Sequence, residues 1–165
     1  MTGVLIARVD PRSPDARTAL ERYLIEAAGR VEHPSFRAFD LVDEVGDFGP
    51  PDGAFLLMRS EASVIGCGAV RTLAPGLGEI KRMWIEPGQR GHGLGSQLLG
   101  ALEAASLELG HKRVRLDTNS ALREAIGLYA TRGYSPIGRY NDNPDATHFF
   151  EKHLGSRSAD RIEEP

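Results

Sequence analysis

The chain has one cysteine, Cys67, and one tryptophan among its 165 residues. A single cysteine rules out an internal disulfide and a thiolate metal cluster. Lys and Arg never run longer than two, and the formal net charge is -3 at pH 7. Such a chain lacks the basic surface that displaces counterions from nucleic acid, so no nucleic-acid partner is expected. No apolar run is long enough to cross a bilayer, and no membrane partner is expected. Met1 to Asp10 sets Arg8 and Asp10 beside a short apolar stretch, which is not a signal-peptide order. Together these absences point to a soluble, cytoplasmic protein.

What is present is an ordinary globular balance, 41% apolar and 26% charged. The length suits one domain around one core. Residues 1–154 are read as that domain, and the polar, charged residues 155–165 as a mobile tail. No repeat, low-complexity segment or interdomain linker interrupts it.

Val4 to Val9 reads as a first strand. Ser13-Pro14-Asp15 offers an N-cap, a proline at the first helical position and an acid in the first turn. The helix is expected to run to about Ala28 and stop at Gly29. Phe36 to Asp47 is read as a short helix, and Gly49 to Gly53 as a turn. Ala54–Arg59, Ser63–Thr72 and Gly78–Glu86 read as an antiparallel meander. Leu94, Leu98, Leu102, Ala105 and Leu109 recur at helical spacing, which predicts a helix over Gly93–Leu109. A strand over Val114–Asp117, a helix over Ala121–Thr131 and strands over Tyr134–Gly138 and Thr147–Leu154 follow. Strand and helix alternate in the second half, so the fold class is α/β (α+β), with a mixed sheet and helices packed on it.

The most informative stretch is Arg90-Gly91-His92-Gly93-Leu94-Gly95-Ser96. It lies between a strand that ends near Pro87 and the long helix. Amides at a helix start have no internal partners, the helix dipole adds partial positive charge, and glycines let the backbone approach an anion. This is chemistry for phosphate. The P-loop pattern fails because Ser96-Gln97 follows the last glycine. The dinucleotide fingerprint fails because its last glycine falls on Ser96 or Leu98. R-x-x-G-x-G fits, as Arg90-x-x-Gly93-x-Gly95.

In this motif the chain resembles the GNAT superfamily of acyl-CoA N-acyltransferases. A second segment extends the resemblance: Arg115 to Asn119, then Ala125-x-x-Leu128-Tyr129, then Gly133-Tyr134. The resemblance covers roughly residues 50 to 154. Tyr140 to Pro144, followed by Phe149 to Lys152, is similar to a bacterial subgroup. It implies a central, mostly antiparallel sheet of about six to seven strands flanked by about four helices. It also implies acetyl-CoA as cosubstrate with no metal, a small-molecule or peptide amine as acceptor, and leaves a homodimer open. One departure is that many members carry Asn where this chain has Leu122. Asn119, one turn earlier, is the substitute expected to serve the pantetheine.

The resemblance assigns roles residue by residue. Tyr129 is the expected proton donor to the departing thiolate, or else a core aromatic on the stripe of Leu122 and Ile126. Glu79 is the candidate base for the amine, or else an exposed strand-end Glu or a partner for Lys81 or Arg82. Backbone groups of Met83 and Ile85 are expected to pair with pantetheine like an added strand, and Trp84, between them and counted with them at the cofactor, points its side chain to the other face, where it is more often core than a ligand contact. Arg90, Gly91, His92, Gly93, Leu94, Gly95 and Ser96 are expected at the pyrophosphate, His92 through its amide. His148 and His153 lie on opposite strand faces and share no metal. Cys67 reads as strand packing. Acids at Asp40, Asp43, Glu44, Asp142 and Asp145 either suit a cationic amine or are solvated surface. Beside the enzyme stands a second reading, a GNAT-fold module that binds acyl-CoA without turnover.

Overall fold

The computed structural model describes residues 3–30 and 44–155. Seven strands are joined in one sheet: β1 (Val4–Arg8), β2 (Ala54–Ser60), β3 (Ser63–Ala74), β4 (Leu77–Ile85), β5 (Arg113–Thr118), β6 (Ser135–Ile137) and β7 (His148–His153). Their order is β1-β2-β3-β4-β5-β7-β6. Every neighbouring pair is antiparallel except β4 and β5, which run parallel. The described residues hold three α-helices: α1 (Pro14–Arg30), α2 (Leu94–Glu108) and α3 (Arg123–Thr131). This is the mixed, mostly antiparallel sheet expected from the sequence. Among the described residues no helix is long and apolar enough to cross a membrane.

Side chains alternate across the sheet, and the two faces build two cores. Leu56, Met58, Val70 and Ile80 turn to one face, where Leu98 and Leu102 of α2 and Tyr129 of α3 cover them. Phe55, Leu57, Cys67 and Trp84 turn to the other, beneath Ala16, Ala19 and Leu20 of α1. The β4–α2–β5 crossover therefore lies on the face opposite α1.

The element limits depart from the sequence reading in three places. Helix α1 starts as expected, with Ser13 Oγ accepting from the Ala16 amide at 3.3 Å. It continues through Gly29 to Arg30, because Arg30 donates to Glu124 at 2.7 Å and to the Ala121 carbonyl at 3.2 Å. Tertiary contacts thus override the weak helix preference of glycine. Helix α3 begins at Arg123 rather than Ala121, because Asn119 Oδ1 accepts from the Ala121 amide at 2.9 Å and holds a turn there. Most of the helix expected over Phe36–Asp47 lies outside the described residues, and Val45–Phe48 forms a short 3-10 turn.

Candidate active site

Strands β4 and β5 pair only over Leu77–Glu79 and Arg113–Arg115. Beyond Glu79 the two diverge. The cause is a bulge in β4. Cys67 pairs with Trp84 and Ala69 with Lys81, so Arg82 and Met83 together face the single residue Gly68. Arg82 takes the left-handed conformation, φ 58°. The bulge bends β4 away and leaves its β5-facing backbone edge without a strand partner, a place where an extended ligand can pair.

This cleft leads into the start of α2. Gly93, at φ 77°, is the N-cap and no side chain caps the turn. The first amide with a helical partner is that of Gln97, which donates to the Gly93 carbonyl at 3.2 Å. The earlier amides are therefore available for an anion. Gly91, also left-handed at φ 84°, and exposed His92 complete the loop. Arg90 donates from Nε to the Ile85 carbonyl at 3.0 Å and pairs with Glu26 of α1. Glu26 also accepts the Trp84 indole N–H at 2.7 Å. Ser96 Oγ accepts from Arg132 at 3.2 Å.

The cleft has two compartments. One, of about 420 Å³, is lined by the loop residues Arg90, Gly91 and Gly93 to Ser96 together with Met83, Trp84 and Ile85. The other, of about 340 Å³, is lined by Lys81, Arg82, Asp117, Asn119 and Asn143. Tyr129 and Met83 line both, and so mark where they meet. Tyr129 is 6% exposed. Its hydroxyl donates to Met83 Sδ at 3.9 Å, a weak acceptor, and so stays nearly uncommitted. Burial pushes the phenol's pKa up, with Tyr23 and Asp117 acting the same way, so the group is protonated at neutral pH.

Glu79 lies at the point of divergence and is 1% exposed. Arg71 donates to its Oε1 from Nε at 2.8 Å, and the Tyr140 hydroxyl donates to Oε2 at 2.6 Å. Asn141 adds a contact at 3.4 Å, and Lys81 Nζ stands 3.7 Å away. Burial pushes this carboxyl up, but Lys81, Tyr140 and Arg71 outweigh it and hold it below the ordinary carboxylate range. Of the partners expected from the sequence, Lys81 stands at 3.7 Å while Arg82 is bound to Glu44, and the shortest contacts come instead from Arg71 and Tyr140.

Asn119 is placed on the second compartment, not at the glycine loop. Both ends of its amide are occupied, by the Asp145 carbonyl at 2.6 Å and the Ala121 amide. Cys67 is fully buried and donates to the Arg82 carbonyl at 3.4 Å, and burial pushes its thiol up to about 12, which excludes a nucleophile. Of the acids singled out in the sequence, Glu44 is bound to Arg82 at 2.6 Å and Asp142 is exposed. Asp40 and Asp43 lie outside the described residues.

Sequence reading missed Asp117, Tyr23 and Glu26. A signal for Asp117 existed: Arg113, Arg115 and Asp117 alternate with buried Val114 and Leu116, which sets a charged face on β5. Glu26 had no such signal, since its partners Trp84 and Arg90 are far along the chain.

An open strand edge that leads to an uncapped, glycine-rich helix start is an arrangement suited to an extended ligand with an anionic end. The comparisons agree. The Acetyltransferase (GNAT) family matches residues 15–134, and the chain belongs to that family. It is an acetyl-CoA-dependent N-acyltransferase. An IAA acetyltransferase of Azospirillum brasilense is 35% identical over 108 residues, which cover 63% of this chain and 70% of that protein. A solved structure from Klebsiella pneumoniae, assigned as an acyl-CoA N-acyltransferase, superposes with a TM-score of 0.73 at 28% identity, covering 92% of this chain and 97% of its own. The N-acetylglutamate synthase of Neisseria gonorrhoeae, solved with coenzyme A and N-acetyl-glutamate, shares the fold at TM-score 0.69 and 15% identity over 91% of this chain and 35% of that one.

Proposed function

We propose that the protein transfers the acetyl group of acetyl-CoA directly to a primary amine, with both substrates bound at once. The observation that carries this reading is the meeting of the two compartments at Tyr129. The uncapped amides of α2 and the open edge of β4 at Met83 and Ile85 receive the coenzyme. The amine enters from the side of Lys81 and Asp117. Bound this way, the nitrogen and the thioester carbon are brought together without a covalent enzyme intermediate, consistent with the buried, high-pKa Cys67.

The amine attacks as the free base, forms the C–N bond, and the C–S bond breaks. Tyr129, protonated and weakly engaged, gives its proton to the departing thiolate and regains one from solvent. Glu79 works as a positioning residue: it stays ionised, holds Arg71, Lys81 and Tyr140 in place, and leaves the amine's proton to solvent. The test is thiol release from acetyl-CoA across monoamines, diamines, amino acids and peptides. Release with at least one amine class is the expected result. Retained acetyl-CoA binding with no release from any amine points instead to a binding module without turnover.

A further inference from the structure

The charged groups around the second compartment include, besides Asp145, a set of paired cations and acids. Arg82 donates to Glu44 from Nε at 2.8 Å and from a terminal nitrogen at 2.6 Å. Lys81 stands 3.7 Å from both Glu44 and Glu79. Arg71 is shared between Glu79 at 2.8 Å and Asp47 at 3.5 Å. Three cations thus face three acids. Asp117 stands outside this set. Among the described residues its side-chain partners are two neutral amides, Asn141 Nδ2 at 2.5 Å and Asn143 Nδ2 at 3.5 Å. The nearby guanidiniums are committed elsewhere. Arg115 donates to Glu151 at 2.9 Å and lies over the Tyr140 ring, while Arg139 donates to the carbonyls of Asn143 and Ala146 at 2.9 Å.

The loop presenting these amides is held in shape. Asn141 Oδ1 accepts from the Asn143 amide at 3.1 Å, and Asn143 Oδ1 accepts from the Asp145 amide at 3.0 Å. Asn119 ties the Asp145 carbonyl to the end of β5. The neutral donors orient the Asp117 carboxylate without cancelling its charge. Burial chiefly raises the pKa of both Tyr129 and Tyr140, and the Asp117 charge acts in the same direction. Asp117 lines the second compartment and not the loop compartment, so it faces the acceptor.

We infer that Asp117 is the specificity anchor for the acceptor, and that the acceptor carries a second cationic nitrogen beside the amine that is acetylated. The inference rests on the transferase reading above. The reacting nitrogen must be uncharged to attack, so it cannot keep an ion pair through the reaction. A second ammonium can. It supplies a cation that the Asp117 carboxylate lacks among the described residues, and it holds the acceptor equally before and during transfer, which lowers KM.

The probes are 1,4-diaminobutane, butylamine and 4-aminobutyrate, which share a chain length and differ in the far group. The wild-type protein is expected to use the diamine at least tenfold better in kcat/KM than either other amine. Asp117→Asn keeps shape and removes charge. It should lower kcat/KM for the diamine by about tenfold to a hundredfold, mostly through KM, the range of a lost charged hydrogen bond. The loss for butylamine should be at least tenfold smaller than for the diamine, and acetyl-CoA affinity should move little, since Asp117 does not line the loop compartment. A second readout needs no turnover: calorimetric binding of the diamine to the coenzyme A-saturated protein, weakened by the same factor in Asp117→Asn. Equal use of the three amines by wild type, equal losses on all three in the variant, or diamine binding that ignores Asp117 overturns the anchor. Absence of thiol release with every amine overturns the transferase reading instead, and the binding arm still decides on Asp117.

Discussion

Removing the Tyr129 hydroxyl separates chemistry from packing in one step. Tyr129→Phe keeps the ring, which touches Tyr134 at 5.6 Å and Phe150 at 6.0 Å between centroids. The hydroxyl's described partner is a thioether at 3.9 Å, so little hydrogen-bond energy is lost. A typical net bond contributes about 1 kcal/mol, and this one falls below about 0.5 kcal/mol. At roughly 2–4 °C per kcal/mol for a chain of this size, Tm should change by less than about 2 °C. Turnover is a different matter. A lost general acid costs roughly 10²–10⁴ in rate, or about 3–5 kcal/mol of barrier at 1.36 kcal/mol per decade. Coenzyme thiolate leaves readily, which sets the expectation at the lower end of that range. The assay is thiol release at saturating acetyl-CoA with an amine the protein accepts. Turnover within about threefold of wild type, with unchanged Tm, would refute the proton-donor role and return Tyr129 to the core.

Three further outcomes follow from the same geometry. Gly93→Glu places a carboxylate at the anion-facing N-cap and a side chain at φ 77°, in open space; acetyl-CoA binding by calorimetry should vanish, while Tm drops by about 2–8 °C for 1–2 kcal/mol of left-handed strain. Glu79→Gln leaves Arg71 and Lys81 short of a partner, so Tm should fall by about 2–12 °C for about 1–3 kcal/mol and turnover should drop by the same factor at every pH; a defect that shrinks at high pH would identify Glu79 as the base after all. Acid should destabilise the fold in two stages, read as Tm between pH 8 and 4. Burial holds His111 below its ordinary 6.5, so the unfolded chain takes up that proton first and stability, complete above 6.5, declines as pH falls below it. Glu79, held below its ordinary 4.5, adds stability that is present above 4.5 and lost as pH falls through its folded value. A Tm that stays flat from pH 8 to 5 would contradict the first stage.

The parts that were legible in the sequence are those written locally. Ser13-Pro14-Asp15 announces the start of α1, the Leu94–Leu98–Leu102 spacing announces α2, and three alternating glycines announce the uncapped loop before it. Each is decided by residues within a few positions of one another. The bulge at Arg82 was not legible, because it exists only in the pairing of β4 with β3 at Gly68. The engagement of Glu79 was not legible either. Tyr140 and Asn141 lie far along the chain, and only the fold decides that they donate to a strand carboxylate. The neutral cradle of Asp117 has the same origin, since a loop after β6 must fold back over β5 to supply it.

The bridge from Trp84 through Glu26 to Arg90 has an optical consequence. Trp84 is the chain's sole indole, so all tryptophan emission comes from the wall of the coenzyme cleft. Its N–H shares a carboxylate with the arginine of the anion loop. On the proposed reading, a phosphate that draws Arg90 toward itself alters the charge beside the fluorophore, so tryptophan emission should change on titration with acetyl-CoA, with no dye and no turnover.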